Sequence, residues 1–303
     1  MPKLRVGIGD VLDAKPLAWG LLKGHHADLF SPVVEPLPLV GRLLVQGDLE
    51  AGLVPVIDAA QPPPPDPSEG RPAGASRVRP AALLALPDLC VAFPGAARSI
   101  VLASASPLSE VRRVYLGRGA RKAAAVARIV LAEAWGIAPA YLAEDAPAAA
   151  GGAGVGRLEP GEAALVIGGP ALRLSGIAPD DRAPAGARSE PAPLHLLDLG
   201  TAWHELTGLP LVVGLWVVRS DAVLPELPFY FKSSLRYGLA SRSAIAREEA
   251  AELGFDSAEI ERFLRETVSF VLRDDELRSI EELLRRAARH GLVPEGSAVR
   301  FLP

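Results

Sequence analysis

Leu4-Arg5-Val6-Gly7-Ile8, then Pro16 to Leu22, Leu37 to Val45 and Leu53 to Ile57: within the first sixty residues an apolar run, two helix-like segments and a second apolar run succeed one another. The order predicts strand, helix, helix, strand, the grammar of parallel strands covered by helices. Pro16 suits the first turn of its helix, where a missing N–H costs nothing, and Gly47 suits the end of the next. A second block follows the same pattern, with strands predicted at Ser99 to Ala103 and Val111 to Leu116, a helix over Ala120 to Ala134, and a short buried strand at Ala163 to Ile167. Leu211 to Val218 reads as a central strand, and beyond it the chain is helical. Asp256 offers an N-cap, and Asp274 opens a helix that carries Leu277, Ile280, Leu283, Leu284 and Ala287 on one face until His290-Gly291. Two βα blocks whose C-terminal helices have no sheet of their own imply an α/β chain of two lobes, crossed twice. The cleft between lobes is then the expected ligand site.

Composition narrows the function classes. The 303 residues are 49% hydrophobic, enough to build one or two cores without disulfides or metals. Lys and Arg number 32 against 36 Asp and Glu, a net charge of -4, so no basic field attracts nucleic acid or anionic lipid. Cys90 has no second thiol to pair with, and the five histidines show no metal-ligand spacing. Met1-Pro2-Lys3 runs directly into a strand-like segment without the apolar stretch of a secretion signal, and the longest uncharged apolar run, Leu209 to Val218, falls well short of a membrane helix. A cytoplasmic location without membrane or nucleic-acid partners is expected. Gln61 to Pro80 contains the run Pro62-Pro63-Pro64-Pro65 and too many breakers to pack, so residues 61–80 are expected to form an exposed loop, either a tolerated insertion or a proline-recognition ligand. Gly7-Ile8-Gly9 lacks the third glycine of a dinucleotide fingerprint, and no Gly-x-Ser-x-Gly occurs.

Several segments carry a likeness in order along the chain: Arg5-Val6-Gly7 with Leu12-Asp13-Ala14-Lys15-Pro16-Leu17, Leu86-Pro87-Asp88-Leu89-Cys90-Val91-Ala92, Gly95 with Ser99-Ile100-Val101-Leu102, Arg121 with Arg128-Ile129, and Ala163 to Gly168. The most distinctive are Asp198-Leu199-Gly200 with Trp203, Leu206-Thr207-Gly208-Leu209-Pro210, and Trp216-Val217-Val218-Arg219. Together they resemble the bacterial chorismate dehydratase family, the first enzyme of the futalosine route to menaquinone. The resemblance implies a two-lobed fold like the type II periplasmic binding proteins, with lobe one from residues 1–97 plus 214–303 and lobe two from 98–213. It also implies a small dianionic substrate, chorismate, converted to 3-[(1-carboxyvinyl)oxy]benzoate and water. Such a reaction needs anchors for two carboxylates, modest acid–base help and good positioning, and no redox or metal cofactor.

The chain departs from the family pattern at several positions. Asp13 stands where the family usually has Asn, Phe93 where it has a small Ser, Ala120-Arg121-Lys122-Ala123 where it has Ser-Arg-Thr-Ser, and Gly169 where it has Asp. Two readings follow: a remodelled dehydratase in which Lys122 offsets the charge of Asp13, or a homologue that binds a different ligand. Asp13, just before Pro16, is either an exposed turn or N-cap residue or an acid–base group. Gly119, Ala120, Arg121 and Lys122 feed a helix whose positive end and free N–H groups suit a carboxylate, or else form a solvated basic helix start. Ser99 either satisfies a backbone group or contacts ligand, Phe93 is pocket wall or core, and Trp216 packs.

Overall fold

The computed structural model describes residues 3–60, 81–117, 124–144, 158–177 and 194–303. The proline-rich segment 61–80 lies outside them. A first, six-stranded sheet contains β1 (Leu4–Gly9), β2 (Phe30–Glu35), β3 (Ala51–Pro55), β4 (Leu83–Phe93), β10 (Leu211–Arg219) and β11 (Ser269–Val271), in the order β11-β4-β10-β3-β1-β2. A second, five-stranded sheet contains β5 (Ile100–Ser104), β6 (Arg113–Tyr115), β7 (Ala140–Leu142), β8 (Glu162–Ile167) and β9 (His195–Asp198), in the order β7-β6-β8-β5-β9. The helices are α1 (Lys15–Lys23), α2 (Leu37–Gln46), α3 (Val56–Ala59), α4 (Ala125–Ala134), α5 (Gly169–Leu174), α6 (Leu199–Thr207), α7 (Leu227–Ala240), α8 (Arg242–Leu253), α9 (Ser257–Glu266) and α10 (Asp274–Arg289).

The two-lobed α/β architecture follows from this strand order. The chain leaves the first sheet after β4, builds the second sheet, and returns as β10, which lies antiparallel between β3 and β4. β2, β1 and β3 are mutually parallel, as their βα grammar requires. β10 is the central strand its apolar run predicts. The second strand of the first block is displaced: β3 ends at Pro55, and Val56 already begins a helix. The strands β2, β4, β7, β9 and β11 are not among those predicted, and two of them carry a particularly weak pattern. β2 is an edge strand interrupted by Pro32, tolerated because an edge leaves one side of the ladder unpaired. β11 is only three residues long.

The start of α1 is fixed from below by α7. Ser234 Oγ donates to the Leu17 carbonyl at 2.7 Å and accepts from the Leu21 N–H at 3.0 Å. Gly238 is required here, since a Cβ on it would lie 2.0 Å from the Pro16 carbonyl oxygen. The 3-10 turn Leu12–Ala14 that precedes α1 is thereby held in place, all three of its residues buried. Among the described residues no helix is long and apolar enough to cross a membrane.

Candidate functional site

The two connections between sheets are gripped by one side chain. Asp198, at the end of β9, caps α6 by accepting from the Thr201 N–H at 2.9 Å. The same carboxylate accepts from the Ala97 N–H at 2.9 Å and the Arg98 N–H at 2.6 Å, on the segment that leaves β4. Arg98 has a left-handed φ of 58°, a conformation costly without a Gly, and the paired N–H contacts hold it there. Gly200 brings α6 onto this segment, because a Cβ on it would stand 2.3 Å from the Gly95 carbonyl oxygen. The Asp198-Leu199-Gly200 motif is thus the joint between lobes. α10 braces the joint: Trp203 Nε1 of α6 donates to Ser279 Oγ at 3.0 Å, and Ser279 Oγ donates to the Pro210 carbonyl at 2.5 Å, all buried. Glu133 of α4 meets Arg286, and also Arg289 at 3.3 Å and His290 at 3.0 Å.

Ser99 follows the clamped pair. It is fully buried, and its Oγ donates to Asp13 Oδ2 at 2.8 Å. Asp13 is itself only 6% exposed, so it is not an exposed turn residue. Nor is it a cap: the N-cap of α1 is Ala14, without a side-chain cap bond. Asp13 Oδ1 is buried without a hydrogen-bond partner. Burial pushes the Asp13 carboxyl up to about 6, against the opposing hydrogen bond from Ser99.

Asp13 opens onto a cavity between the lobes of about 90 Å³, walled by Leu53, Val91 and Leu211 from the first sheet, Ile100 and Ile167 from the second, and Leu283 of α10. Among the described residues that line it, Asp13 alone is titratable. Ligand pockets run from about 300 Å³ upward, so the cavity as it stands in this structure is smaller than a typical small-molecule site. On another face of the contact, the Arg173 guanidinium of α5 lies 4.5 Å over the Phe255 ring and donates to the Leu253 carbonyl.

The structure therefore brings Asp13 and Ser99 together and separates two other expected residues from them. Phe93 is core: it is fully buried in β4 opposite Leu211 and does not line the cavity, because its side chain is spent on packing. Gly169, at the start of α5, also lies off the cavity, with the tip of the Leu253 side chain 3.2 Å from where a Cβ would stand. Gly119, Ala120, Arg121 and Lys122 lie outside the described residues. Trp216 packs, its ring 4.8 Å from Phe231. The role of Asp198 was not foreseen, although an Asp before an apolar helix start is an N-cap signal.

Solved structures share this arrangement. A protein of Archaeoglobus fulgidus matches with a TM-score of 0.63 at 18% identity, over 96% of this chain and 98% of its own. The periplasmic aliphatic sulphonate binding protein SsuA of Escherichia coli matches with a TM-score of 0.58 at 17% identity, over 100% and 93%. A Candida albicans protein described as having the generic periplasmic binding protein fold matches with a TM-score of 0.55 at 11% identity, over 98% and 92%. These likenesses show the fold, which is that of the periplasmic binding proteins. Among curated proteins, the chorismate dehydratase of Thermus thermophilus is 26% identical over 182 residues. That match spans 59% of this chain and 64% of the relative, just under two thirds of its length. The family described as menaquinone biosynthesis matches residues 78–289, a stretch that holds Ser99, the Asp198 joint and all of α10, and the chain belongs to that family.

Proposed function

We propose that the protein is a chorismate dehydratase, a hydro-lyase that converts chorismate to 3-[(1-carboxyvinyl)oxy]benzoate and water in the cytoplasmic futalosine route to menaquinone. Lobe one is assigned to residues 1–97 plus 214–303 and lobe two to 98–213, with the substrate enclosed between them. The observation that carries the reading is Asp13, a buried acid with an unpartnered oxygen at the inter-lobe cavity, in a chain whose family makes menaquinone. The family match begins downstream of Asp13, so its role rests on geometry.

Dehydration of this substrate takes a proton and a hydroxyl from adjacent ring carbons and leaves an aromatic ring, so the chemical demand on the protein is small. A single acid–base group beside those carbons, with apolar walls that hold the ring and exclude water, meets it. The substrate's two carboxylates need positive partners. The first turn of α4, Ala125 and Val126, lines the cavity and has no side-chain cap, and the positive end of a helix suits an anion. Arg121 and Lys122, which precede it in sequence, are proposed on that basis to complete the anchor. A second reading, a non-catalytic carboxylate-binding protein on the same fold, is favoured by the presence of one titratable residue among the described lining residues, where separate acid and base would need two. Incubation of the purified protein with chorismate decides between them. Appearance of the benzoate ultraviolet band with loss of one water by mass supports the lyase. A tight complex without product over hours supports the binder, and no complex at all overturns both.

A further inference from the structure

We infer that Asp13 meets its ligand as a neutral acid: Oδ1 carries the proton and donates it in a hydrogen bond to a ligand oxygen, while Oδ2 accepts from Ser99. The inference rests on the proposed reading for the identity of the ligand and goes beyond it by fixing the protonation state and direction of the contact. An ionised carboxylate has about four acceptor sites to satisfy; here the Ser99 hydroxyl donates to Oδ2, the residue's own backbone N–H adds a lesser contact, and Oδ1 has no hydrogen-bond partner among the described residues. A neutral acid in the same place needs one acceptor for its O–H, and Oδ1 is buried and without a hydrogen-bond partner among the described residues, on a residue that lines the cavity.

Among the described residues that line the cavity, no positive charge compensates an ionised form, and Arg121 and Lys122 are proposed above to serve the carboxylates of the ligand. The described cavity walls from β3, β4, β10, β8, α6 and α10 are apolar. The charges that flank the Leu12–Ala14 turn in sequence are Asp10 and Lys15, and Lys15 Nζ is held 2.7 Å from Glu249 and 3.3 Å from Asp10, a group of net charge -1. Burial raises the Asp13 carboxyl in the free protein, which favours the same state. An ionised Asp13 would repel a carboxylate or alkoxide-like oxygen, whereas a neutral O–H facing it makes a short, charge-assisted hydrogen bond. Ligand charge thus stabilises the proton on Asp13 further, and binding above pH 6 draws a proton from solution.

Calorimetric titration of the full chain with chorismate, at pH 5.5, 7 and 8 and in two buffers of different ionisation enthalpy, tests this. Wild-type affinity is expected to fall by about tenfold per pH unit above 6, with uptake approaching one proton. Asp13→Asn, which keeps a donor at the same position, is expected to hold the pH 5.5 affinity within about threefold and to lose the pH dependence. Asp13→Ala is expected to lose tenfold or more at every pH. Asp13→Asn as weak as Asp13→Ala, or wild-type binding without proton uptake, overturns the inference. If the wild type binds no chorismate, the proposed function fails, and the inference is decided by carbon-13 NMR of the carboxyl signal missing from Asp13→Asn. Titration of that signal near or above pH 6 upholds a neutral acid, and titration below pH 5 overturns it.

Discussion

Replacing Asp13 by Asn should stabilise the free protein, and by an amount that depends on pH. In the unfolded chain the Asp13 carboxyl releases its proton near 3.8, while in the folded protein burial holds the proton to about 6. Below 3.8 both states are protonated and the residue contributes no difference. Between 3.8 and 6 the unfolded state binds fewer protons than the folded one, so folding stability falls as pH rises. Above 6 the penalty is complete, and a difference of about two pKa units corresponds to about 3 kcal/mol. At pH 4.5 only about 1 kcal/mol of this has developed. The substituted amide has no charge to bury, and its oxygen can still accept from Ser99. The stability of Asp13→Asn relative to wild type should therefore grow by about 2 kcal/mol between pH 4.5 and pH 8. Urea unfolding of both proteins across this range, followed by fluorescence and circular dichroism together, measures the difference. A difference that is flat with pH, or that favours the wild type at pH 8, would show that Asp13 is ionised at no cost and would refute the reasoning.

Other perturbations address the joint and the lobe contacts. Asp198→Ala strips the acceptor from three backbone N–H groups and should cost about 3 kcal/mol, lowering the thermal midpoint by about 6 °C; a drop below 2 °C would mean that the clamp contributes little. Trp203→Phe removes the indole donor to Ser279 but leaves Ser279 bonded to the Pro210 carbonyl, so a loss near 1 kcal/mol is expected in urea unfolding, and none would mark that bond as incidental. Arg173→Ala removes an exposed stacking and hydrogen-bonding contact worth about 1 kcal/mol between α5 and the segment after α8. Fluorescent labels on α5 and α9 should then report longer distances in the ligand-free protein; an unchanged distribution would show that Arg173 does not hold the lobes together.

Period and length made much of this fold readable. β10 is buried along nearly its whole length, so its apolar run had no other place than the middle of a sheet. α10 is legible because Ile280, Leu283, Leu284 and Ala287 fall on one buried stripe of an otherwise charged helix. β2 and β11 escaped for local reasons, a proline at the edge and a length of three residues, and both exist because a neighbouring strand supplies the ladder. The site is a different matter. Asp13 sits in a stretch that reads as a turn, and turns are ordinarily exposed. Its burial is produced by α7 under α1 and by a partner 86 positions away, neither of which has a local signature. Phe93 illustrates the converse, since a large side chain in an apolar run packs unless a cavity happens to lie beside it.

The distribution of contacts also says how the cavity opens. The joint combines part-buried bonds from Asp198 to the Ala97 and Arg98 N–H groups with the buried bonds of Trp203 to Ser279 to Pro210, and together these are costly to break. The contact of Arg173 with Leu253 and Phe255 is exposed and weak, so in any opening of the cleft it is expected to give way before the joint. Ser99 follows the clamped pair directly, and its bond to Asp13 lies beside the joint rather than at that rim. Asp13 can keep its orientation while the cavity around it fills with water. Water relieves the burial that raises its pKa, so the open protein favours the ionised acid and the closed one the neutral acid. Closure on a ligand oxygen and capture of a proton by Asp13 are then coupled steps of one equilibrium, and a rise in pH above 6 weakens closure by the same free energy that it takes from binding.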